Sequence, residues 1–410
     1  MNSGNAALRI VIVGAGQAGG QLASELRQLG HGGRITIVGE EPWLPYKRPP
    51  LSKGFLAGSV AQDSLYVMPK ATFDKANIEF IGDARATRIH REAKQLELAD
   101  GRKLAYDQLA LCTGSRARPL PGAAGSNVFP LRTIADVEGI RRHCAPGKRA
   151  VIVGGGFIGL EVAAVLVKLG LKVTVLEGLP RVLARVTAPE MSAFYERMHS
   201  EAGVDLRTGV QIRSFEGSPA VAHIALGDGT RVEADFVVIG IGILPNVELA
   251  QDAGLAVDNG IVVDEFTRTS DPHIVAAGDC SNHPNAHFAR RLRLESVQNA
   301  MEQGRAAARN LLGKNEPYQM VPWFWSDQYD LKLQMVGLSN GFDQLVVRGD
   351  PKTQRNFAAF YLKDGVVIAA DAVTRPQEFM LAKKIVAMKL KLSPAQLADE
   401  AVPLKTLVPV

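Results

Sequence analysis

The sequence predicts an α/β chain made of two similar nucleotide-type units and a third, α+β region. Three observations carry this. A short apolar strand runs into a G-x-G-x-x-G turn twice, at Gly14–Gly19 and at Gly154–Gly159. Each turn leads into a helix and then a second strand that ends in an acid, Glu40 in one case and Glu177 in the other. From Pro322 the texture changes to alternating strand segments followed by a helix. At 410 residues the chain is long enough for roughly two to three domains of about 150 residues each. Hydrophobic residues make up 46% and charged residues 22%, which excludes a disordered, collagenous or coiled-coil protein. Forty glycines imply many tight turns or close backbone approaches.

In chain order, the first unit runs Arg9-Ile-Val-Ile-Val13, the turn Gly14-Ala15-Gly16-Gln17-Ala18-Gly19, an amphipathic helix to about Leu29, and the strand Arg34-Ile-Thr-Ile-Val38 before Gly39-Glu40. The second repeats this with Arg149-Ala-Val-Ile-Val153, Gly154-Gly-Gly156-Phe157-Ile158-Gly159, a helix to about Leu169, and Lys172-Val-Thr-Val-Leu176 before Glu177. The acid stands close to the usual distance of about 20 residues beyond the turn. In such a Rossmann-like unit the first glycine allows the tight turn, the second lets backbone approach a pyrophosphate, and the third lets helix and strand pack closely. The helix N-terminus offers free N–H groups and a positive dipole end to the phosphates. A ribose diol can donate to the carboxylate at the second strand's end. Two such units in full context predict two dinucleotide sites.

Segments 101–114 and 229–246 read as hairpin strands closing the two units, the first into Thr113-Gly114. Residues 261–280 end in Ile274-Val-Ala-Ala-Gly278-Asp279, a buried strand that delivers an aspartate to its C-terminal tip, where ligands of α/β sheets bind. After Pro322 come strand segments Leu331–Leu338, Gln344–Arg348, Phe357–Leu362 and Val366–Asp371, then a helix with four lysines from about Pro376 to Lys391. The expected organisation is residues 1–115 with 245–321 as one dinucleotide domain, 116–244 as the second, and 322–410 as the α+β region.

Other features exclude classes of function. Cys112, Cys144 and Cys280 are far apart and odd in number, which fits a reducing, cytoplasmic compartment and removes dithiol redox chemistry. Met1-Asn2-Ser3-Gly4-Asn5 has no basic stretch, so no signal peptide is expected. The apolar run Ala150–Val167 has a membrane-like composition, but its clustered glycines predict a buried strand–turn–helix and no membrane association. The formal net charge of +5 comes without polybasic runs, which argues against nucleic acid and suits an acidic protein partner. His283 and His287 are four apart, but Pro284 between them predicts a loop, and no metal site is expected.

Pro49-Pro-Leu-Ser-Lys53 follows the first unit, and three further motifs are more specific than the glycine turns: Arg185-Val-Thr-Ala-Pro-Glu190, Glu295-Ser-Val-Gln-Asn-Ala300 and Pro322-Trp-Phe-Trp-Ser-Asp-Gln328. With the doubled fold, they make the whole chain resemble the bacterial FAD/NADH-dependent ferredoxin reductases of cytochrome P450 and ring-hydroxylating dioxygenase systems. That resemblance implies FAD on Gly14, Ala15, Gly16, Gln17, Ala18 and Gly19, with Glu40 on the adenosine ribose, Ala86 and Arg132 beside the dinucleotide, Asp279 on the ribityl chain, and Lys53, Val297 and Trp325 near the flavin. It places NADH on Gly154, Gly156, Phe157, Ile158, Gly159, Glu177, Arg185, Gly242 and Glu295. Glu177 favours NADH over NADPH, although Arg181 and Arg185 nearby are able to serve a 2′-phosphate. Lys53 and Glu161 are implied to pair where flavin and nicotinamide meet, as the catalytic residues.

The resemblance further implies a 2Fe–2S ferredoxin as electron acceptor, with the chain a monomer or weak dimer. NADH delivers two electrons together and such a ferredoxin takes one, so FAD serves as the converter. Arg290, Arg291, Arg293 and Arg305, with Trp325, are the expected docking residues for an acidic ferredoxin. An NADH oxidase or dithiol reductase on the same scaffold needs a redox cysteine by the flavin, and Lys47-Arg-Pro-Pro-Leu-Ser-Lys53 contains none. A rubredoxin reductase, or a redox-signalling flavoprotein, is a further reading.

Overall fold

The structure, a computed structural model, describes residues 8–409; Met1–Asn5, on which the signal-peptide expectation rests, lie outside them. The chain divides into two compact units. One comprises the chain up to Arg48, Ala61–Arg116 and Leu244–Met320; the other comprises Pro49–Val60, Ala117–Ile243 and the chain from Val321.

The first unit is built on a five-stranded parallel sheet in the order Ile274–Ala276, Gln108–Leu111, Ile10–Val13, Ile35–Val38, Ile78–Ile81. Strand Ile10–Val13 is apolar at every position because both its faces are covered. Ile10 and Ile12 pack with Leu22 and Leu26 of helix Gln17–Gln28 and with Ala300, Ala307 and Leu311 of helix Val297–Leu311. Val11 and Val13 pack on the opposite side with Leu96, Leu98, Ala250 and Leu255. The two helices approach closely at Gly304, where a side-chain carbon would lie 2.8 Å from the Ala18 carbonyl oxygen.

The second unit repeats the parallel sheet, in the order Asp205–Arg207, Lys172–Leu176, Arg149–Val153, Phe236–Ile239, Val128–Pro130. The same unit holds a five-stranded antiparallel sheet in the order Trp323–Gln328, Leu331–Gly337, Val366–Val373, Phe357–Lys363, Gln344–Arg348. One face of that sheet packs on helix Pro376–Ala387 through Phe360, Ala370, Phe379 and Ile385. The other joins Leu333, Phe357, Ala359 and Tyr361 to Leu160 of helix Phe157–Lys168 and to Met191, Phe194 and Met198 of helix Pro189–Glu201. This shared core is why residues 322–410, expected as a separate region, group with the second nucleotide unit.

Two local expectations differ from the structure. Ser281–Asn285 is a strand, not a loop: Pro284 pairs with Arg291 beyond the point where the neighbouring strand Ile261–Val262 is bonded, so its missing N–H interrupts no ladder there. The helix that begins at Pro376 ends at Ala387, before Lys391, because Lys389 turns into the left-handed region at φ 51°. Among the described residues no helix is long and apolar enough to cross a membrane. The run Ala150–Val167 divides between strand Arg149–Val153 and helix Phe157–Lys168.

The antiparallel sheet also buries a carboxyl group. Tyr361 donates to Asp371 at 2.5 Å, and the Tyr361 oxygen accepts from the backbone N–H of Ala188 at 3.1 Å. Burial pushes the Asp371 carboxyl up to about 7, partly offset by the Tyr361 bond, against about 4 in an unfolded chain. Between those values the fold keeps a proton that the unfolded chain sheds. This group's contribution to stability is therefore complete below about pH 4 and is lost as pH rises through 7. Asp371→Asn is expected to raise the unfolding midpoint over the parent at pH 8 by several degrees and to leave a much smaller difference at pH 4.5, as thermal scans at the two pH values would read.

Candidate functional site

In the first unit Gly14 has φ +111°, and a side-chain carbon there would lie 2.1 Å from the Cys112 carbonyl oxygen. A carbon on Gly19 would lie 2.1 Å from the Gly14 carbonyl oxygen. At Gly16, which caps helix Gln17–Gln28 without any side-chain bond, nothing stands within 4 Å. Two glycines are thus demanded by the protein's own packing, while the middle one borders open space at a helix N-terminus, where a pyrophosphate fits. The buried Gln17 Oε1 has no protein partner, and neither amide atom of Gln298, buried in the first turn after Val297, has one. Orphaned buried polar atoms beside an open turn fit a dinucleotide.

Glu40 stands exposed after the second strand, its carboxylate 3.4 Å from Arg85, and Ala86 follows at the start of the adjacent meander. Asp279 lies just beyond strand Ile274–Ala276 and accepts from Ser115 Oγ at 2.8 Å. The turn that presents it is held by Gln303, whose Oε1 accepts from the Gly278 N–H at 2.8 Å and from Ser281 Oγ at 2.7 Å. Gln303 also donates to His283 Nδ1 at 3.0 Å, and burial lowers the His283 ring to about 4, so it stays neutral there. Val297 opens helix Val297–Leu311 after Ser296, which caps it by accepting from the Asn299 N–H.

The second unit reproduces the turn. A carbon on Gly154 would meet the Gly240 oxygen at 2.4 Å and one on Gly159 the Gly154 oxygen at 2.0 Å, while Gly156 borders open space. Glu177 accepts from the N–H groups of Gly155 at 2.6 Å and Leu179 at 2.7 Å, which anchors its carboxylate beside the glycine turn with lone pairs left for a ribose diol. Arg181 is engaged by Ser192 Oγ at 2.6 Å and the Ala184 carbonyl at 3.0 Å. Arg185 is exposed on a shallow cavity of about 210 Å³ with Ser339 and Phe342. Gly242, φ +104°, follows strand Phe236–Ile239. Ile158 is exposed at the head of the helix, and Phe157 beside it packs on Phe324 with ring centres 4.8 Å apart.

Three residues of this unit converge on one carboxylate. Glu161, 2% exposed, accepts at Oε2 from Lys53 Nζ at 2.6 Å and Ser52 Oγ at 2.5 Å, and at Oε1 from Ser326 Oγ at 2.6 Å. Lys53 follows the short 3₁₀ turn Pro49–Ser52, where two prolines preset φ, and its N–H closes the turn on the Pro50 carbonyl at 3.0 Å. Its side chain keeps 21% exposure. The arrangement combines a fixed buried anion with a partly accessible cation.

Other expected residues fall elsewhere. Arg132 precedes helix Ile134–Arg141 in the second unit, where its N–H, like that of Thr133, bonds Asp136. Glu295 lies in the first unit, exposed and 2.7 Å from Arg293. Trp325 is half-buried, its ring 5.6 Å from that of Trp323, which packs on Phe379. The arginines expected to dock a partner divide. Arg290 is exposed. Arg305 pairs with Glu302 at 3.0 Å on its own helix. Arg291 is exposed as well, while its guanidinium bonds Asn282 and the Val263 carbonyl; Arg293 bonds Glu295 and Asn259, its side chain only 13% exposed. Sequence reasoning passed over Ser52, Ser326 and Gln298. The alternation of strand Trp323–Gln328 carries a usable signal, because it puts the polar Ser326 and Gln328 at core-facing positions. Among the described residues no group of three or more His, Cys, Asp or Glu side chains is placed to hold a metal.

Two parallel sheets, each with an open glycine turn and an acid at the end of its second strand, define a two-dinucleotide oxidoreductase. The chain matches the pyridine nucleotide-disulphide oxidoreductase family over residues 8–304 and the reductase C-terminal family over residues 323–408. It is 48% identical to putidaredoxin reductase of Pseudomonas putida, covering 98% of this chain and 97% of that protein. It is 43% identical to rhodocoxin reductase of Rhodococcus erythropolis over 97% and 94%. Among solved structures, the covalent putidaredoxin reductase–putidaredoxin complex matches with a TM-score of 0.95 at 48% identity, covering 98% of each chain. The chain belongs to the pyridine nucleotide-disulphide oxidoreductase family and carries its reductase C-terminal domain.

Proposed function

We propose that this protein is an NADH-dependent, FAD-containing ferredoxin reductase that supplies a cytochrome P450 or ring-hydroxylating oxygenase through a 2Fe–2S ferredoxin, in a reducing, cytoplasmic setting. The observation that carries this is the pair of open glycine turns, in a chain that has no cysteine in Lys47–Lys53 and whose three cysteines are all free. FAD, when bound, supplies acceptance of hydride from the nicotinamide and release of single electrons.

The chain's residues do the rest. Gly16 and the N-terminus of helix Gln17–Gln28 hold one pyrophosphate, and Gly156 and helix Phe157–Lys168 the other. Glu40 and Glu177 select riboses, and Glu177 repels a 2′-phosphate, so NADPH is the poorer donor. Asp279 takes the ribityl hydroxyls. Lys53, held by Glu161 and Ser52, keeps one ammonium group at a defined place in the reacting region. Arg290 and Trp325 stand as docking residues for the ferredoxin.

Purified protein is expected to be yellow, to bleach with NADH under nitrogen, and to reduce a 2Fe–2S ferredoxin in steady state. A colourless preparation that flavin does not reconstitute overturns the reading. Because such encounters are small and charge-steered, raising ionic strength from about 0.05 to 0.5 M is expected to slow ferredoxin reduction several-fold and to leave NADH-to-flavin transfer nearly unchanged. Stopped-flow traces of the two steps check this.

A further inference from the structure

The Glu161 carboxylate is one end of a buried chain of hydrogen bonds within the second unit. From its Oε1 the chain passes to Ser326 Oγ at 2.6 Å, then to Gln328 Nε2 at 3.2 Å. Gln328 Oε1 lies 2.9 Å from His199 Nε2, and His199 Nδ1 lies 2.9 Å from the Tyr329 hydroxyl. Glu161, Ser326, Gln328 and His199 are all at most 2% exposed, while Tyr329 is 37% exposed at the far end.

Elementary chemistry allows only one direction of donation. A carboxylate accepts and cannot donate, so Ser326 commits its single hydrogen to Glu161. The Ser326 oxygen must then accept from the next group, which forces Gln328 to present its NH₂ and not its carbonyl. The amide oxygen therefore faces His199, so the imidazole carries its hydrogen on Nε2. A neutral imidazole has one N–H, which leaves Nδ1 as acceptor and Tyr329 as donor. Burial supports the neutral ring, lowering His199 to about 4 against the opposing Gln328 bond. Every link donates toward Glu161, and aligned bonds of this kind polarise and strengthen one another. Polar side chains at core positions of strand Trp323–Gln328 are costly unless fully bonded, and here both are.

We propose that Ser326, Gln328, His199 and Tyr329 are positioning residues that form a one-way donor chain, holding Oε1 of Glu161 so that Oε2 is presented to Lys53 and Ser52. The proposal deepens the reductase reading and rests on it for the consequence for flavin reduction, but the geometry of the chain is a separate matter. Losing Ser326 frees one carboxylate oxygen, and the Lys53 ammonium loses its fixed place.

The test has two readouts. Nitrogen-15 spectra of histidine-labelled flavoprotein at pH 7, with no NADH present, are expected to show His199 neutral and protonated on Nε2. In Glu161→Gln the end group gains a donor, the direction is no longer forced, and the His199 signals are expected to move toward a tautomer mixture. Single-turnover flavin reduction by NADH is expected to fall about tenfold in Ser326→Ala and in Gln328→Met, with NADH affinity unchanged. Gln328→Met keeps the length of the side chain but has no hydrogen to donate to Ser326, so a role confined to packing would not move it, and Ser326→Thr, which keeps the hydroxyl, is expected to restore the rate. A His199 ring protonated on Nδ1, or wild-type reduction rates in both Ser326→Ala and Gln328→Met, overturns the proposal. Failure of NADH to reduce the flavin of the parent protein overturns the reductase reading instead, and the tautomer spectra still decide the chain.

Discussion

Gly16→Ala is expected to give a folded, colourless protein. The added methyl meets no protein atom within 4 Å, so the fold has nothing to repel it, but it occupies the space at the helix N-terminus into which a pyrophosphate must come. FAD affinity should drop by about a hundredfold or more, since close backbone approach and the N–H bonds are lost together. The unfolding midpoint of the flavin-free variant should match that of flavin-free parent. Gly14→Ala is the contrast: its methyl would lie 2.1 Å from the Cys112 carbonyl oxygen, at a backbone angle that side chains rarely adopt, and it should fail to accumulate as folded protein. The corresponding Gly156→Ala should keep its yellow colour and raise the KM for NADH. Absorbance at the flavin band and calorimetry of the three variants check this. A Gly16→Ala protein that keeps its flavin would remove the first turn from the cofactor site.

The second large effect is expected at the buried pair. Lys53→Ala should slow reduction of the bound flavin by NADH by about a hundredfold while the fold survives, because Ser52 and Ser326 still donate to Glu161. Glu161→Ala removes the common acceptor of three donors. Breaking a buried pair on the carboxylate side in general costs about 3–5 kcal/mol. Lys53 keeps 21% exposure and is able to rehydrate, so the lower end is expected here, with a lower unfolding midpoint as well as slow flavin reduction. Rapid-mixing kinetics under nitrogen, with thermal scans on the same samples, separate the two effects. Unchanged flavin reduction in both variants would leave the pair with a structural role alone.

Much of this protein is legible without coordinates because the governing rules are short-range. Strand Arg149–Val153 and strand Lys172–Leu176 fall where the apolar runs place them. In both glycine turns the first and third positions are demanded by close backbone and the second borders open space, since a turn's geometry is set by the few residues that make it. Boundaries drifted where a distant partner intervened. Pro284 sits in a strand because a hairpin partner holds it, and helix Pro376–Ala387 stops short of Lys391, which bridges back to Val366.

What the sequence by itself determined was the two nucleotide units, their glycines and acids, and a third region of different texture. What only the tertiary structure decided was who meets Glu161. Ser52 and Ser326 reach it from 109 and 165 residues away, and His199 meets Gln328 across 129. It also decided that Arg291, though exposed, is tied to Asn282 and the Val263 carbonyl, and that Arg293 is mostly buried against Glu295 and Asn259. The physical reason is the range of the interaction. Periodicity and turn chemistry act over a few residues and leave a mark in the sequence, whereas a hydrogen bond between remote side chains depends on sheet order and on which faces are buried together.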